Sequence, residues 1–184
     1  FHLSKRGMVS SIRIQLFIEK HVGKILLKDC AIPFSAVATN LETAQSVVFD
    51  DPNDSLSEVI RASCSFPGVF SPVKIKETYY VDGGIFQHLP VKPLTDQGIQ
   101  HVVGVDVIPS CSLDVPPSNI PLILDRSLDL MLHGQVNDSV NQPTVLLRPI
   151  LRQFSSFDIK EFHELIELGY QSVKNNRDNI EAII

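Results

Sequence analysis

No stretch of the 184-residue chain approaches the roughly 18 uncharged apolar residues that a membrane span requires. The opening residues, Phe1-His2-Leu3-Ser4-Lys5-Arg6, contain no signal-peptide core. A soluble, cytoplasmic chain is the expectation. The first residue is Phe rather than Met, so further sequence is expected upstream. Cysteine is scarce: Cys30, Cys64 and Cys111 are odd in number, widely spaced and without a C-x-x-C pair. This argues against a disulfide framework and for a reduced compartment. His2, His21, His101, His133 and His163 form no i, i+4 pair and no cluster with Cys, so neither a metal nor any other cofactor is expected. Positive charge is also short. Sixteen basic against 21 acidic residues leave a formal charge of -5. The basic residues are scattered apart from short clusters such as Lys74/Lys76 and Arg148/Arg152, which excludes nucleic acid as the main partner. There is no internal repeat and no low-complexity tract, and no residue speaks for an oligomeric state.

What is present suits a globular fold. An apolar fraction of 43% can fill a continuous core, and the length fits one domain of roughly 100 to 200 residues, or most of one. Apolar positions 14, 17, 18 and 22 have helical spacing, with Ser10 or Ser11 as cap and Gly23 as stop, which predicts a helix from Arg13 to Val22. Ile32 to Thr39 reads as a buried strand and Ser46 to Phe49 as its hairpin partner. Ser55-x-x-Glu58 has the form of a capping box before a helix over Leu56 to Cys64. Pro67-Gly68 breaks that helix, and two short strands joined near Lys76-Glu77 lead to Val81. A short helix from Pro90 to Asp96 is closed by Gly98, and His101 to Val107 reads as a buried parallel strand. After a Pro- and Ser-rich loop, Pro109 to Pro121, a helix is expected over Leu122 to Val140 and a strand over Thr144 to Arg148. Asp158-x-x-Glu161 then caps a terminal helix that turns Phe162, Leu165, Ile166, Leu168 and Val173 toward the core. Strands alternating with helices predict an α/β fold with a mostly parallel sheet flanked by helices.

In such folds reactive residues collect in loops that follow strands, and Asp82-Gly83-Gly84 is such a place. The two glycines allow a close approach to the main chain and present the carboxylate at the rim of a pocket. Taken alone, Asp-Gly is better read as the signal of a plain turn.

Its surroundings favour the site. Arg61-Ala62-Ser63-Cys64-Ser65-Phe66-Pro67-Gly68-Val69-Phe70-Ser71-Pro72-Val73, then Val81-Asp82-Gly83-Gly84, then Leu89-Pro90-Val91, resembles the patatin-like phospholipase family. Ala36 to Thr43, Val102 to Asp106 and Glu164 to Tyr170 are similar to other parts of it, in its bacterial and neuropathy-target-esterase-like branch. The resemblance covers nearly all of the chain but only the later part of the family domain. It implies that residues 1–184 are the carboxyl-terminal part of one patatin-like domain. It further implies hydrolysis of phospholipid or other acyl-lipid esters by a Ser-Asp dyad, with Asp82 as general base and Gly83 and Gly84 supporting it. Peripheral membrane contact follows only from that substrate class.

The serine of that dyad sits in a G-x-S-x-G elbow, and residues 1–184 contain none, nor a glycine-rich run able to form an oxyanion hole. Either the nucleophile lies upstream, or the chain is a catalytically inactive lipid-binding or interaction module. Ser63 and Ser65 lack flanking elbow glycines and read as structural. Gln87 and His88 stand where relatives often carry Asn. His88 invites a Ser-His-Asp reading, but the family uses no histidine. Asp106, at a strand end, reads as a structural hydrogen-bonding acid.

Overall fold

A computed structural model describes residues 10–107, 116–120, 122–124, 126–128, 130–131, 143–151, 154 and 159–184. The fold is mixed α/β, and the chain divides into two compact units, one ending at His88 and the other starting at Leu89.

In the first unit, helix α1 (Ile12–Val22) precedes the hairpin of β1 (Ala36–Asn40) and β2 (Gln45–Phe49). The hairpin turn is built locally: the Asn40 side-chain oxygen accepts the N–H groups of Glu42 at 2.9 Å and Thr43 at 3.1 Å. Helix α2 (Leu56–Ser63) follows, then β3 (Val73–Ile75) and β4 (Thr78–Asp82). The sheet order is β2-β1-β4-β3, and every neighbouring pair is antiparallel. This corrects the expectation of a mostly parallel sheet. Both hairpins have connections too short for the crossover that parallel strands need. Alternation along single strands does not reveal which strand lies beside which.

Leu56, Val59 and Ala62 recur at helical spacing and are buried with Ala36, Ala38, Phe49, Val73 and Ile75. The Leu, Val, Ile and Phe side chains among them each contribute roughly 1.5–3 kcal/mol when fully removed from water. The Tyr80 ring meets Phe49 edge-on at 5.1 Å. Ser55 does stand at the α2 N-cap, yet its side chain makes no cap bond; its hydroxyl lies 3.2 Å from that of Ser57 instead.

Helix α1 ends as expected at Gly23, whose φ of +90° lies in the region that favours glycine. Its inward side is mixed, with the half-buried Ile14 and Ile18 beside a polar row. Arg61 of α2 donates to Ser11 Oγ at 3.2 Å and to Gln15 Oε1 at 2.7 Å. Gln15 and Ser57 both donate to Glu19 Oε1, at 2.9 and 3.2 Å. These bonds, led by that from Gln15, hold the Glu19 carboxyl below its ordinary pKa. Burial lowers the Arg61 guanidinium, with Glu58 opposing.

The second unit contains α3 (Lys92–Asp96), β5 (Val103–Val105) and β6 (Val145–Leu147). Here the pairing is parallel, Val103 opposite Val145 and Val105 opposite Leu147. Leu89, Val91 and Val102 form a small core with Leu94 and Leu146 packed against it. Strand β5 is narrower than His101 to Val107 and buried on one side only, with Gly104 inward and Val103 and Val105 exposed. Much of the loop Pro109 to Pro121 falls outside the described residues. Of the helix expected over Leu122 to Val140, the described residues 122–124, 126–128 and 130–131 are helical. The helix Phe162–Asn175 and the short helix Arg177–Glu181 close the chain. The expected cap residue Asp158 is outside the described residues. The apolar stripe of Phe162–Asn175 is not in a core: none of its residues is buried, and Phe162, Ile166 and Val173 are exposed.

Asp106 is buried at the end of β5, and its Oδ2 accepts Arg148 Nε at 2.9 Å. Its N–H donates to Leu147 O, so the acid ties the ends of β5 and β6 together. Arg148→Met removes a guanidinium that compensates a buried carboxylate. Because Arg148 is itself half exposed, the expected loss is about 1–3 kcal/mol, less than for a fully buried pair. Urea unfolding of the full-length protein, compared with wild type, checks this.

Candidate active site

Asp82 is the last residue of β4, opposite Ala38 of β1, with a 3-10 turn over Gly83–Ile85 immediately after it. Three contacts fix it. Its N–H donates to Ser65 O at 3.0 Å, and its carbonyl accepts Thr39 Oγ1 at 2.9 Å. Its Oδ1 accepts the Gly84 N–H at 2.8 Å. Among the described residues, Oδ2 meets no hydrogen-bond donor.

The first glycine is demanded by close packing. A Cβ on Gly83 would stand 2.2 Å from Val37 O and 2.6 Å from Val37 C, both main-chain atoms that the sheet holds in place. Gly83 O in turn accepts the N–H groups of Phe86 at 3.1 Å and Gln87 at 2.9 Å, which tightens the turn. It is thus the Gln87 main chain, not its longer amide, that holds the loop. Gln87 Oε1 is buried without a donor among the described residues.

Burial raises the Asp82 pKa above the ordinary carboxylate value; the Gly84 N–H and the charge of His88 oppose it. The direction suits a base, since a carboxylate of ordinary pKa, about 4, is a weak proton acceptor at neutral pH. Cys64 is exposed as a residue, but partial burial, followed by the Asp82 charge, pushes its thiol up as well. A thiol shifted that way is mostly protonated and a poor nucleophile.

The other candidates are placed differently. Ser65 is fully buried and donates its hydroxyl to Arg61 O at 2.7 Å, so its side chain closes the end of α2 while its carbonyl holds Asp82. Ser63, at the last position of α2, has no elbow around it. His88 lies near enough to Asp82 to act on its charge. Asp106 belongs to the second unit, in its ion pair with Arg148. Sequence reasoning did not find Thr39: a threonine in a buried strand carries no sign that its hydroxyl will cross to the neighbouring strand's last carbonyl.

Among the described residues no group of three or more His, Cys, Asp or Glu is arranged to hold a metal, and no helix is long and apolar enough to cross a membrane. Within the second unit, a cavity of about 280 Å³ is lined by Thr144, Val145, Leu146, Asn176, Asn179, Ala182 and Ile183; none of the Asp82 loop belongs to it.

Comparison with known proteins matches residues 3–95 to the family model described as patatin-like phospholipase. An uncharacterized NTE family protein of Mycobacterium bovis is 30% identical over 105 residues, covering 57% of this chain and 29% of that protein. A second uncharacterized NTE family protein of the same organism is 27% identical over 154 residues, 81% of this chain and 26% of its own length. The protein named lysophospholipase NTE1 in Candida albicans is 26% identical over 136 residues, 60% of this chain and 10% of that protein. The chain therefore spans less than a third of these relatives.

Proposed function

Since this chain belongs to the patatin-like phospholipase family, we propose that it is the carboxyl-terminal part of the catalytic domain of a lipid acyl hydrolase, with Asp82 as general base. The nucleophilic serine and the oxyanion donors are supplied by residues outside 1–184. The observation that carries this reading is the way Asp82 is held. Its backbone and one carboxylate oxygen are pinned by Ser65, Thr39 and Gly84, while burial raises its pKa. That leaves Oδ2 to receive a hydroxyl proton.

In the reaction, Asp82 takes the proton from the serine hydroxyl as it attacks the ester carbonyl and passes it to the alcohol or lysolipid oxygen as the ester bond breaks. Asp82 then takes a proton from the water that attacks the acyl-enzyme and returns it to the serine oxygen as the acyl bond breaks and the fatty acid leaves. Each pKa unit gained by the carboxylate makes proton uptake about 1.4 kcal/mol more favourable. General-base assistance of this kind is worth roughly 10²–10⁴ in rate. Phospholipid and lysophospholipid esters are the substrate class, in keeping with the names of the family and of the Candida albicans relative.

A fluorophosphonate serine probe tests the reading on the full-length protein. Labelling of one serine outside residues 1–184, together with hydrolysis of a short acyl ester, is the expected result. Labelling of Ser63 or Ser65 would overturn the division of roles. No labelling and no hydrolysis would favour an inactive lipid-binding module instead.

A further inference from the structure

Helix α1 divides its apolar residues between its two sides. Its inward side has a polar row, Ser11, Gln15 and Glu19, satisfied by Arg61 and Ser57, beside the half-buried Ile14 and Ile18. Its outward side carries the large apolar residues: Ile12 is 40% exposed, Leu16 57% and Phe17 65%. Ile12, Leu16 and Lys20 follow one another at i, i+4, and Arg13, Phe17 and His21 run alongside at the same spacing, so all six share one face. Arg13 and Lys20 are exposed. The only acid in the helix, Glu19, is turned inward, with Lys24 reaching it at no closer than 3.7 Å. The Phe17 ring lies against His21, centroids 4.3 Å apart. The outward face therefore combines three apolar side chains with two cations, Arg13 and Lys20, and no carboxylate of its own.

We propose that this face of α1 docks on the surface of an anionic phospholipid membrane. A protein partner built like an ordinary core would match Leu16 and Phe17 but would have to desolvate Arg13 and Lys20 between them. A membrane interface takes both at once: apolar side chains enter the boundary of the acyl chains while cations remain at the level of the phosphates. The polar inward network explains why the helix can present this side outward. Its inward side is held by these hydrogen bonds together with Ile14 and Ile18, so Ile12, Leu16 and Phe17 are left for the interface. The proposal rests on the lipid-hydrolase reading for its purpose, bringing the domain to its substrate, but binding is measured independently of turnover.

The test is co-sedimentation of the full-length protein with phosphatidylcholine vesicles, with and without phosphatidylserine. Arg13→Gln and Lys20→Gln should each weaken binding to the serine-lipid vesicles by about fivefold, and by about twenty-five-fold together. Binding to pure phosphatidylcholine should barely change. Leu16→Ser with Phe17→Ser should weaken binding to both vesicle types by about tenfold or more. Both sets should leave the melting temperature and the hydrolysis of a soluble short-chain ester unchanged. Vesicle binding that is indifferent to both sets overturns the proposal. So does a melting temperature lowered by Leu16→Ser and Phe17→Ser with binding unchanged, which would mean that another protein segment covers the face. If vesicle binding behaves as expected in a protein that hydrolyses no ester, the catalytic reading falls and the docking face stands.

Discussion

Asp82→Asn should lower ester hydrolysis by the full-length protein about a thousandfold or more, as expected for removing a general base, and should at the same time make the protein more stable at neutral pH. The asparagine oxygen can still accept the Gly84 N–H, so the loop keeps its geometry. The stability gain follows from linkage. Burial raises the folded-state pKa of Asp82 above its unfolded value. The folded protein therefore has the full contribution of this group only below the unfolded carboxylate pKa, about 3.9, and loses it as pH rises through the folded pKa. Asparagine carries no ionisation cost, so the variant should melt higher than wild type at neutral pH, with the difference closing toward acid. Thermal unfolding at several pH values, set beside kcat/KM, measures both effects. For the wild type, kcat/KM should have an acid limb above the ordinary carboxylate range. Full activity in Asp82→Asn would remove Asp82 from the mechanism; lost activity with lower stability at neutral pH would point to a structural acid.

The second large effect is at Gly83. An alanine methyl would meet Val37 O at 2.2 Å and Val37 C at 2.6 Å. These are main-chain atoms of β1, which is bonded on both sides, to β2 and to β4. No side chain can swing away to relieve the clash. Either β1 and β4 separate at the Ala38–Asp82 pair or the turn is pushed off the sheet. Gly83→Ala should therefore cost about 3 kcal/mol or more and remove hydrolysis even where folded protein remains. Equilibrium unfolding in urea with residual activity per folded molecule checks this. Gly84→Ala is a graded comparison, because its added atom would meet only the Asp82 side chain, at 3.1 Å. That contact can yield by a small rotation of the carboxylate. The variant should fold well and lose activity mainly through the displaced oxygen.

The acid loop was legible in the sequence because its requirements are local: an acid at a strand end, then two residues without side chains, within a longer run of family-like spacing. The helices and strands of the first unit were legible for the same reason, and their ends shifted by only a few residues. Strand neighbours were not. Whether β4 lies beside β1 antiparallel or parallel depends on the path of the chain between them, which alternation does not encode. The orientation of α1 was hidden differently. Periodicity shows which residues share a face, but the side that turns inward was decided by Arg61, 50 residues from Ser11 in sequence, which satisfies the polar side. Thr39 and the carbonyl of Ser65 were missed because both act on the main chain of Asp82 from distant segments.

The boundary between the two compact units falls after His88. Among the described residues, Val37, Thr39, Ser65, Gly84 and Gln87, which anchor the acid loop, all lie on the near side of it. The loop is consequently a self-contained inheritance. Insertions, deletions or exchange of sequence beyond Leu89 can accumulate in descendants of this chain while the bonds to Thr39, Ser65 and Gly84 that hold Asp82 stay encoded within one unit. A recombinant that carries residues up to His88 into another member of the family brings those anchors with it.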